Sequence, residues 1–394
     1  MNDLQDASMI HATTGARRRA LFLINGEHYA GAERVQDLLA RQLPAFGWEV
    51  DFACLKPGAF AGSREARESQ VIDVPMRSRF DVRQARQVTQ LLRDGYDLLH
   101  THTVRSALIG SVASWQAGKP MVHHVHGRTD RNTENPMRDR VNSTVERMSL
   151  RHALRLIAVS GHTAEHLRRL GHADARIRTV PNGVPCMPAA HEWQAPKGAW
   201  VIGMAALFRP LKGLDVLIEA MAQLHALGMP VHLRAIGGFE SEQYRRQVLD
   251  AVDARGLASY VHWTGFTRDV MGELAKIDAL VLPSLYGEGL PMVVIEAMAA
   301  GLPVVASASE GIQEALDEGR AGILVAPGEA DALARGLAEL IGDPQRARSL
   351  AKAGLQRQRD HYSDVAMARQ VAQVYREVCM HAAPTDGFAE ERRA

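Results

Sequence analysis

The chain has 394 residues, of which 46% are hydrophobic and 23% charged, with 46 Lys and Arg against 45 Asp and Glu. That length exceeds one ordinary core and predicts two domains, and the composition is that of a soluble globular protein. No apolar run nears the roughly 18 residues that cross a bilayer; residues 1–16 are too polar for a signal peptide, and Cys54, Cys186 and Cys379 are too scattered for a disulfide framework, which suits a reducing cytoplasm.

The charge is unevenly spread. Residues 1–190 hold 26 Lys and Arg against 19 Asp and Glu, a balance of +7, and the rest hold 20 against 26, or −6. A basic amino half suits an anionic surface such as a membrane, or is simply a solvated arginine-rich face. No nucleic-acid partner is expected. Residues 1–18 read as a disordered leader and 19–25 as the first strand. The loop Gly26 to Glu33 then leads into a helix running to about Gly47. This loop lacks the Gly-x-Gly-x-x-Gly fingerprint, so a dehydrogenase reading loses its main support. Strands are expected at 48–55 and 71–75. A helix over 80–93 presents Arg83, Arg86 and Arg93 on neighbouring faces. With Arg77 and Arg79 it is the candidate membrane-facing element.

Two further strands end at Asp97-Leu-Leu-His-Thr-His102 and Pro120-Met-Val-His-His-Val-His-Gly127, which gathers five histidines. A metal site is weighed here and set aside: no Cys, Asp or Glu completes a ligand set, and His100 and His102 alternate as strand residues do. Residues 128–140 are polar and read as a mobile loop. Helix 141–152, strand 155–160, helix 161–170 and strand 177–180 follow. Pro181-Asn-Gly-Val184 is a turn with no chemistry assigned to it. The proline-rich segment 185–197 places the domain boundary near 190. Beyond it come strand 200–206, helix 214–227, strand 231–236 ending in Gly237-Gly238, and strand 261–266. Helices at 330–341, 343–359 and 364–380 close the chain, and 381–394 reads as a tail.

The richest stretch is 278–307. Ala279 to Leu282 is a short apolar run of the kind found in buried parallel strands. The loop 283–290 carries Gly287, Glu288 and Gly289; Pro291 suits a first helical position, a helix runs over 293–300, Gly301 closes it, and 303–306 returns to strand. This is a βαβ unit with its loop at the carboxyl end of a strand. The N–H groups of Gly289 and Leu290 are expected to face a phosphate at the helix N-terminus. Glu288 and Glu296 stand one in the loop and one in the helix, so they have separate tasks rather than forming one metal clamp. Glu296 is placed to accept from both hydroxyls of a ribose.

Glu288-Gly-Leu-Pro-Met-Val-Val-Ile-Glu296, followed by Ala-Met-Ala-Ala-Gly-Leu-Pro-Val-Val, resembles the Glu-x7-Glu signature of retaining glycosyltransferases of family four. The resemblance covers about 20–380 and is strongest over 200–330. It implies the GT-B fold, two doubly wound α/β, Rossmann-like domains facing across a cleft. The first, 19–190, is expected on the acceptor side, the second, 191–363, holds the nucleotide sugar, and a helix at 364–380 crosses back to the first. The loop before Glu33 resembles the family's Gly-Gly-x-Glu, with Ala30 for the first glycine, which carries Gly31 over as a donor-phosphate neighbour. The His before Gly127 matches the histidine that reaches the transferred sugar, so His126 takes that role, while His123 and His124 stay packing or acceptor-side residues. The family's Gly-Arg-Leu-x-x-x-Lys-Gly pattern gives two cations on the donor diphosphate. Here Lys212 fits, but Leu207 stands at the usual arginine position and Arg209 is the arginine available. Arg forks onto phosphate oxygens, so Arg209 is assigned there.

The implied enzyme is a retaining hexosyltransferase that moves a sugar from UDP- or GDP-sugar to a glycan or lipid-linked acceptor, with no metal required, in bacterial surface polysaccharide assembly. It would be cytoplasmic, with peripheral contact at the inner membrane face. Catalytic roles fall to His126 and Glu288. Donor binding falls to Gly31, Arg209, Lys212, Glu288, Gly289, Leu290 and Glu296. A GT-B epimerase and a non-catalytic sugar-nucleotide-binding protein remain open on the residues alone.

Overall fold

A computed structural model of the protein describes residues 17–29, 31–78, 81–127, 147–187 and 193–382. Several expectations lie outside these residues: the leader 1–16, Ala30, Arg79 and Phe80, the polar loop 128–140 with the start of the next helix, part of the linker, and most of the tail.

Among the described residues, thirteen strands form two wholly parallel sheets. The first orders as β3-β2-β1-β4-β5-β6-β7, with β1 Arg18–Ile24, β2 Trp48–Cys54, β3 Val71–Asp73, β4 Leu98–Thr101, β5 Met121–Val125, β6 Arg155–Ala158 and β7 Ile177–Thr179. The second orders as β10-β9-β8-β11-β12-β13, with β8 Trp200–Ala205, β9 Val231–Ile236, β10 Val261–Gly265, β11 Ala279–Leu282, β12 Val304–Ser307 and β13 Ile323–Val325. Both are doubly wound, as expected from strands that read as unbroken apolar runs: helices cover both faces, so alternation is lost. Ala20 to Ile24 and Ala279 to Val281 are all fully buried. Strand order reverses between β1 and β4 and between β8 and β11, and ligands bind beyond the carboxyl ends of strands at such switch points.

Local chemistry sets the element ends. The helix Gly31–Gln42 runs through a short 3-10 turn to Gly47, whose φ of 86° stops it. The helix Val104–Ala117 begins in a capping box between Thr103 and Ser106. The basic element over 80–93 resolves differently from expectation, as a 3-10 turn Val82–Gln84 followed by the helix Ala85–Arg93. Pro291 also departs from its expected place. It is the N-cap, with φ −71° and ψ 123°, of the helix Met292–Ala299, because its carbonyl already accepts from Val294 N–H while its own backbone is extended.

The chain crosses back at its end. Val184 N–H donates to Tyr362 O at 2.9 Å, and Asp364 N–H to Val184 O at 3.2 Å. The helix Asp364–Ala382 then packs on the first sheet, with Gln42 Nε2 donating to Asp364 Oδ2 at 2.7 Å and the rings of Trp48 and Tyr375 4.9 Å apart.

Candidate active site

In the loop leaving β8, Leu207 and Arg209 flank one buried residue. Phe208 is the anchor. Its side chain is buried, its N–H donates to Gly238 O at 2.8 Å, and its ring lies 5.2 Å from that of Phe239. Neighbours of a buried residue on an extended stretch point the other way, and Leu207 is 52% exposed while Arg209 is half-buried. Arg209 Nε is buried with no hydrogen-bond partner among the described residues, and one terminal nitrogen stands 3.8 Å from Glu240. The turn Pro210–Lys212 then ends at Gly213 with φ 70°. A Cβ there would collide with the Pro283 carbonyl, so glycine lets the Lys212 turn close onto the loop after β11.

That closure brings Lys212 to Glu288. Lys212 Nζ donates to Glu288 Oε1 at 2.5 Å and Ser284 Oγ donates to the same oxygen at 2.6 Å. Glu288 is 7% exposed. Burial alone would raise its pKa, but the Lys212 charge and hydrogen bond, then Ser284 and the field of Arg209, hold it below the usual glutamate value. The carboxylate is therefore ionised at neutral pH. Gly289 and Leu290 lie in the loop ahead of the Pro291 cap, so the helix's own orphan donors begin at Met292.

Glu296 sits one turn deeper, 1% exposed, in an ion pair with Arg34 from the helix Gly31–Gln42 of the other domain. Burial raises its pKa above the usual value and Arg34 opposes that. Gly31 opens the same helix, and a Cβ on it would stand 3.8 Å from the Met292 side chain. The residues Gly31, Arg34, Met292 and Glu296 thus form one junction between the domains.

His126 and Gly127 close the junction from the first domain. A Cβ on Gly289 would fall 2.9 Å from the His126 carbonyl carbon and 3.1 Å from Gly127 Cα. His126 and Glu288 therefore lie on facing loops. His126 is partly buried, its Nε2 is 3.2 Å from His102 Nδ1, and burial pushes its pKa down to about 4, so it is neutral at pH 7. His123 and His124 are both buried, and His123 Nδ1 bonds Thr101 Oγ1 at 2.7 Å on the opposite face of the sheet.

Three junction residues escaped the sequence reading. Asn182, in a turn to which no chemistry was assigned, is buried and donates from Nδ2 to Leu290 O at 3.0 Å, holding the loop before Pro291 from the first domain. Its signal was the Asn-Gly pair, which reads equally as an ordinary turn. Ser284 had no signal beyond lying four residues before Glu288. Arg34 had none, because its partner belongs to the other domain.

The chain matches the model of the glycosyl transferases group 1 over residues 189–357 and that of glycosyltransferase family 4 over 29–186. It belongs to the group 1, family 4 glycosyltransferases. The phosphatidyl-myo-inositol mannosyltransferase of Mycolicibacterium smegmatis is 26% identical over 318 residues, 77% of each chain. WcaL of Salmonella typhimurium, which carries the name of a colanic acid biosynthesis glycosyltransferase, is 29% identical over 226 residues, and the match spans 55% of each chain. Among solved structures, HepE of Anabaena in complex with UDP-glucose superposes with a TM-score of 0.79 at 23% identity, covering 91% of this chain and 99% of that one. With two parallel, doubly wound sheets, the family 4 chain has the GT-B fold.

Proposed function

We propose that the protein is a retaining hexosyltransferase that moves a sugar from a nucleoside diphosphate sugar, UDP- or GDP-linked, to a glycan or lipid-linked acceptor in bacterial surface polysaccharide assembly. The observation that carries this reading is the Glu288 cluster. An ionised, buried carboxylate, a lysine and an arginine converge beyond the switch point of the second sheet, opposite a neutral His126 from the first. Breaking a sugar–phosphate bond leaves growing negative charge on the diphosphate and positive charge on the sugar. Lys212 and Arg209 answer the first, with the amides at Gly289, Leu290 and Met292. A helix-end dipole is worth only about 0.3–2 kcal/mol, so the two cations carry most of that task and no divalent metal is required. Glu288 accepts from sugar hydroxyls once Lys212 turns to the phosphates, and His126 holds the sugar from the far side. Glu296 takes the ribose hydroxyls, in exchange for its contact with Arg34. For retention, the acceptor attacks from the face the diphosphate leaves, and a phosphate oxygen takes its proton. The family membership, the UDP-glucose complex of HepE and the name of WcaL support the donor class and the pathway.

Peripheral membrane contact is part of the same proposal. Arg83 is tied to Asp81 at 2.8 Å, but Arg86 and Arg93 are exposed, and Arg93 reaches the Gln116 carbonyl at 2.6 Å, next in the chain to Trp115, which is 73% exposed. A ring at the surface beside cations is the composition of an interfacial contact. Among the described residues no helix is long and apolar enough to cross a membrane.

The test is a donor screen of purified protein with chelator present, using UDP-, GDP- and ADP-sugars. It reads thermal shift and release of nucleoside diphosphate, then the anomeric configuration of the product. Stabilisation by one nucleotide series with slow turnover is expected. The absence of any shift would overturn the reading, and an inverted product would overturn retention.

A further inference from the structure

The reaction proposed above uses one histidine of a larger group. Parallel register pairs His100 with Val122 and Thr101 with His123, which places His100, His102, His124 and His126 on one face of the first sheet. The rings nest together: His100 and His102 are 4.1 Å apart at their centroids, His100 and His124 5.5 Å, and His102 and His124 5.6 Å. All three of these rings are buried.

Their hydrogen bonding is incomplete. Nε2 of His100, Nε2 of His102 and both ring nitrogens of His124 are buried without a partner among the described residues. Leaving a buried polar atom unpaired costs about 1–3 kcal/mol, and folded cores pair such atoms almost always. One nitrogen from each ring lies within 4.8 Å of the other two. We propose that His100, His102 and His124 bind one divalent transition-metal ion of the zinc class, in the core of the first domain behind His126.

The partners on the outer nitrogens favour this. His100 Nδ1 is 2.5 Å from Tyr375 Oη, and His102 Nδ1 is 3.2 Å from His126 Nε2. If each Nδ1–H donates outward, each Nε2 keeps its lone pair for the ion. This is the arrangement of metal-ligating histidines, whose second nitrogen is held by a neighbouring acceptor. His124 can ligate through either nitrogen. An all-imidazole set selects zinc, copper, nickel or iron over magnesium and calcium. With bonds of about 2.0–2.1 Å at the tetrahedral angle, two nitrogens on one ion stand about 3.3–3.4 Å apart, so the rings draw together by up to about 1.4 Å on binding. Three neutral ligands leave the fourth position to water. The ion would also fix the tautomer of His102 and, through it, that of His126.

The experiment uses the full chain without a histidine tag, equilibrated with zinc or cobalt and freed of loose ion by gel filtration. Metal per chain is measured by mass spectrometry, and the cobalt form by visible absorption. About one ion per chain and the intense bands of a low-coordinate cobalt site are expected. His124→Leu should lower retained metal at least about tenfold, while His123→Leu, on the opposite face, should keep it. Wild-type protein that retains no metal and shows no cobalt bands would overturn the proposal, and so would full retention in a folded His124→Leu variant. If that variant does not fold, the wild-type cobalt spectrum decides by itself. Metal content is read without any donor sugar, so this result is independent of the transferase reading.

Discussion

Gly289→Ala offers a sharp test of how closely the two domains must meet. The backbone of Gly289 does not lie in the left-handed region, so an alanine adds no backbone strain. The difficulty is across the cleft. The new methyl would fall 2.9 Å from the His126 carbonyl carbon, closer still to its oxygen, and 3.1 Å from Gly127 Cα, where real Cβ contacts essentially never fall below 3.0 Å. Nor can the loop retreat. Gly311 packs against the Gly289 carbonyl from behind, and Gly311 N–H donates to Glu288 O at 3.1 Å. The two loops must therefore part by about an ångström, a displacement that costs a reaction about 10²-fold, or about 2.7 kcal/mol of barrier. The clash is confined to the facing loops, so the loss of stability should stay within the about 1–3 kcal/mol of ordinary overpacking. The assay is kcat/KM for donor turnover beside thermal unfolding. Gly127→Ala is the control, because its methyl would meet Gly287 O at 3.7 Å and Gly289 N at 3.8 Å, which is ordinary contact. Wild-type kcat/KM in Gly289→Ala, or equal losses in both variants, would refute the claim that the facing loops set the reacting geometry.

Other outcomes follow from the same contacts. Glu288→Ala should lower turnover by about 10²–10³, as loss of a transition-state contact does; near-wild-type rates would remove Glu288 from the site. Lys212→Ala should weaken the donor dissociation constant, and it leaves Glu288 buried beside Ser284 without its nearest cation. Breaking such a pair costs up to about 3–5 kcal/mol, so unchanged donor affinity and unchanged stability together would contradict the assignment. Glu296 is raised by burial and lowered by Arg34, and its ionised form, with both oxygens free to accept, is the stronger acceptor for the two ribose hydroxyls. Donor KM should therefore rise as pH falls through that raised pKa, and Arg34→Ala, which removes the lowering influence, should move the rise to higher pH. A KM profile that is flat in acid, or identical in the variant, would count against Glu296 as the ribose acceptor. Stability runs the other way: a raised folded-state pKa means that ionising Glu296 costs the fold free energy as pH increases through that window.

Much of the site was legible because its parts are local. Glu288, Gly289, Leu290 and Glu296 belong to one strand–loop–helix unit whose apolar run, glycines and proline are adjacent in the chain, and the structure builds that unit with Pro291 one position earlier, at the cap. Lys212 and Gly213 were legible for the same reason. The ambiguity between Leu207 and Arg209 was not a matter of pattern. Both residues flank the buried Phe208 and point away from it, Leu207 exposed and Arg209 half-buried beside Glu240.

What the sequence by itself determined was the alternation of strands and helices, the two doubly wound halves and the loops at strand ends. Those follow from apolar runs, caps and glycines acting over a few residues. Only the tertiary structure paired Arg34 with Glu296, Asn182 with the Leu290 carbonyl, Tyr375 with His100, and the four histidines with one another. Each of those pairs joins segments brought together by strand order or domain docking. A local pattern of residues carries no record of which distant side chain will share its buried space.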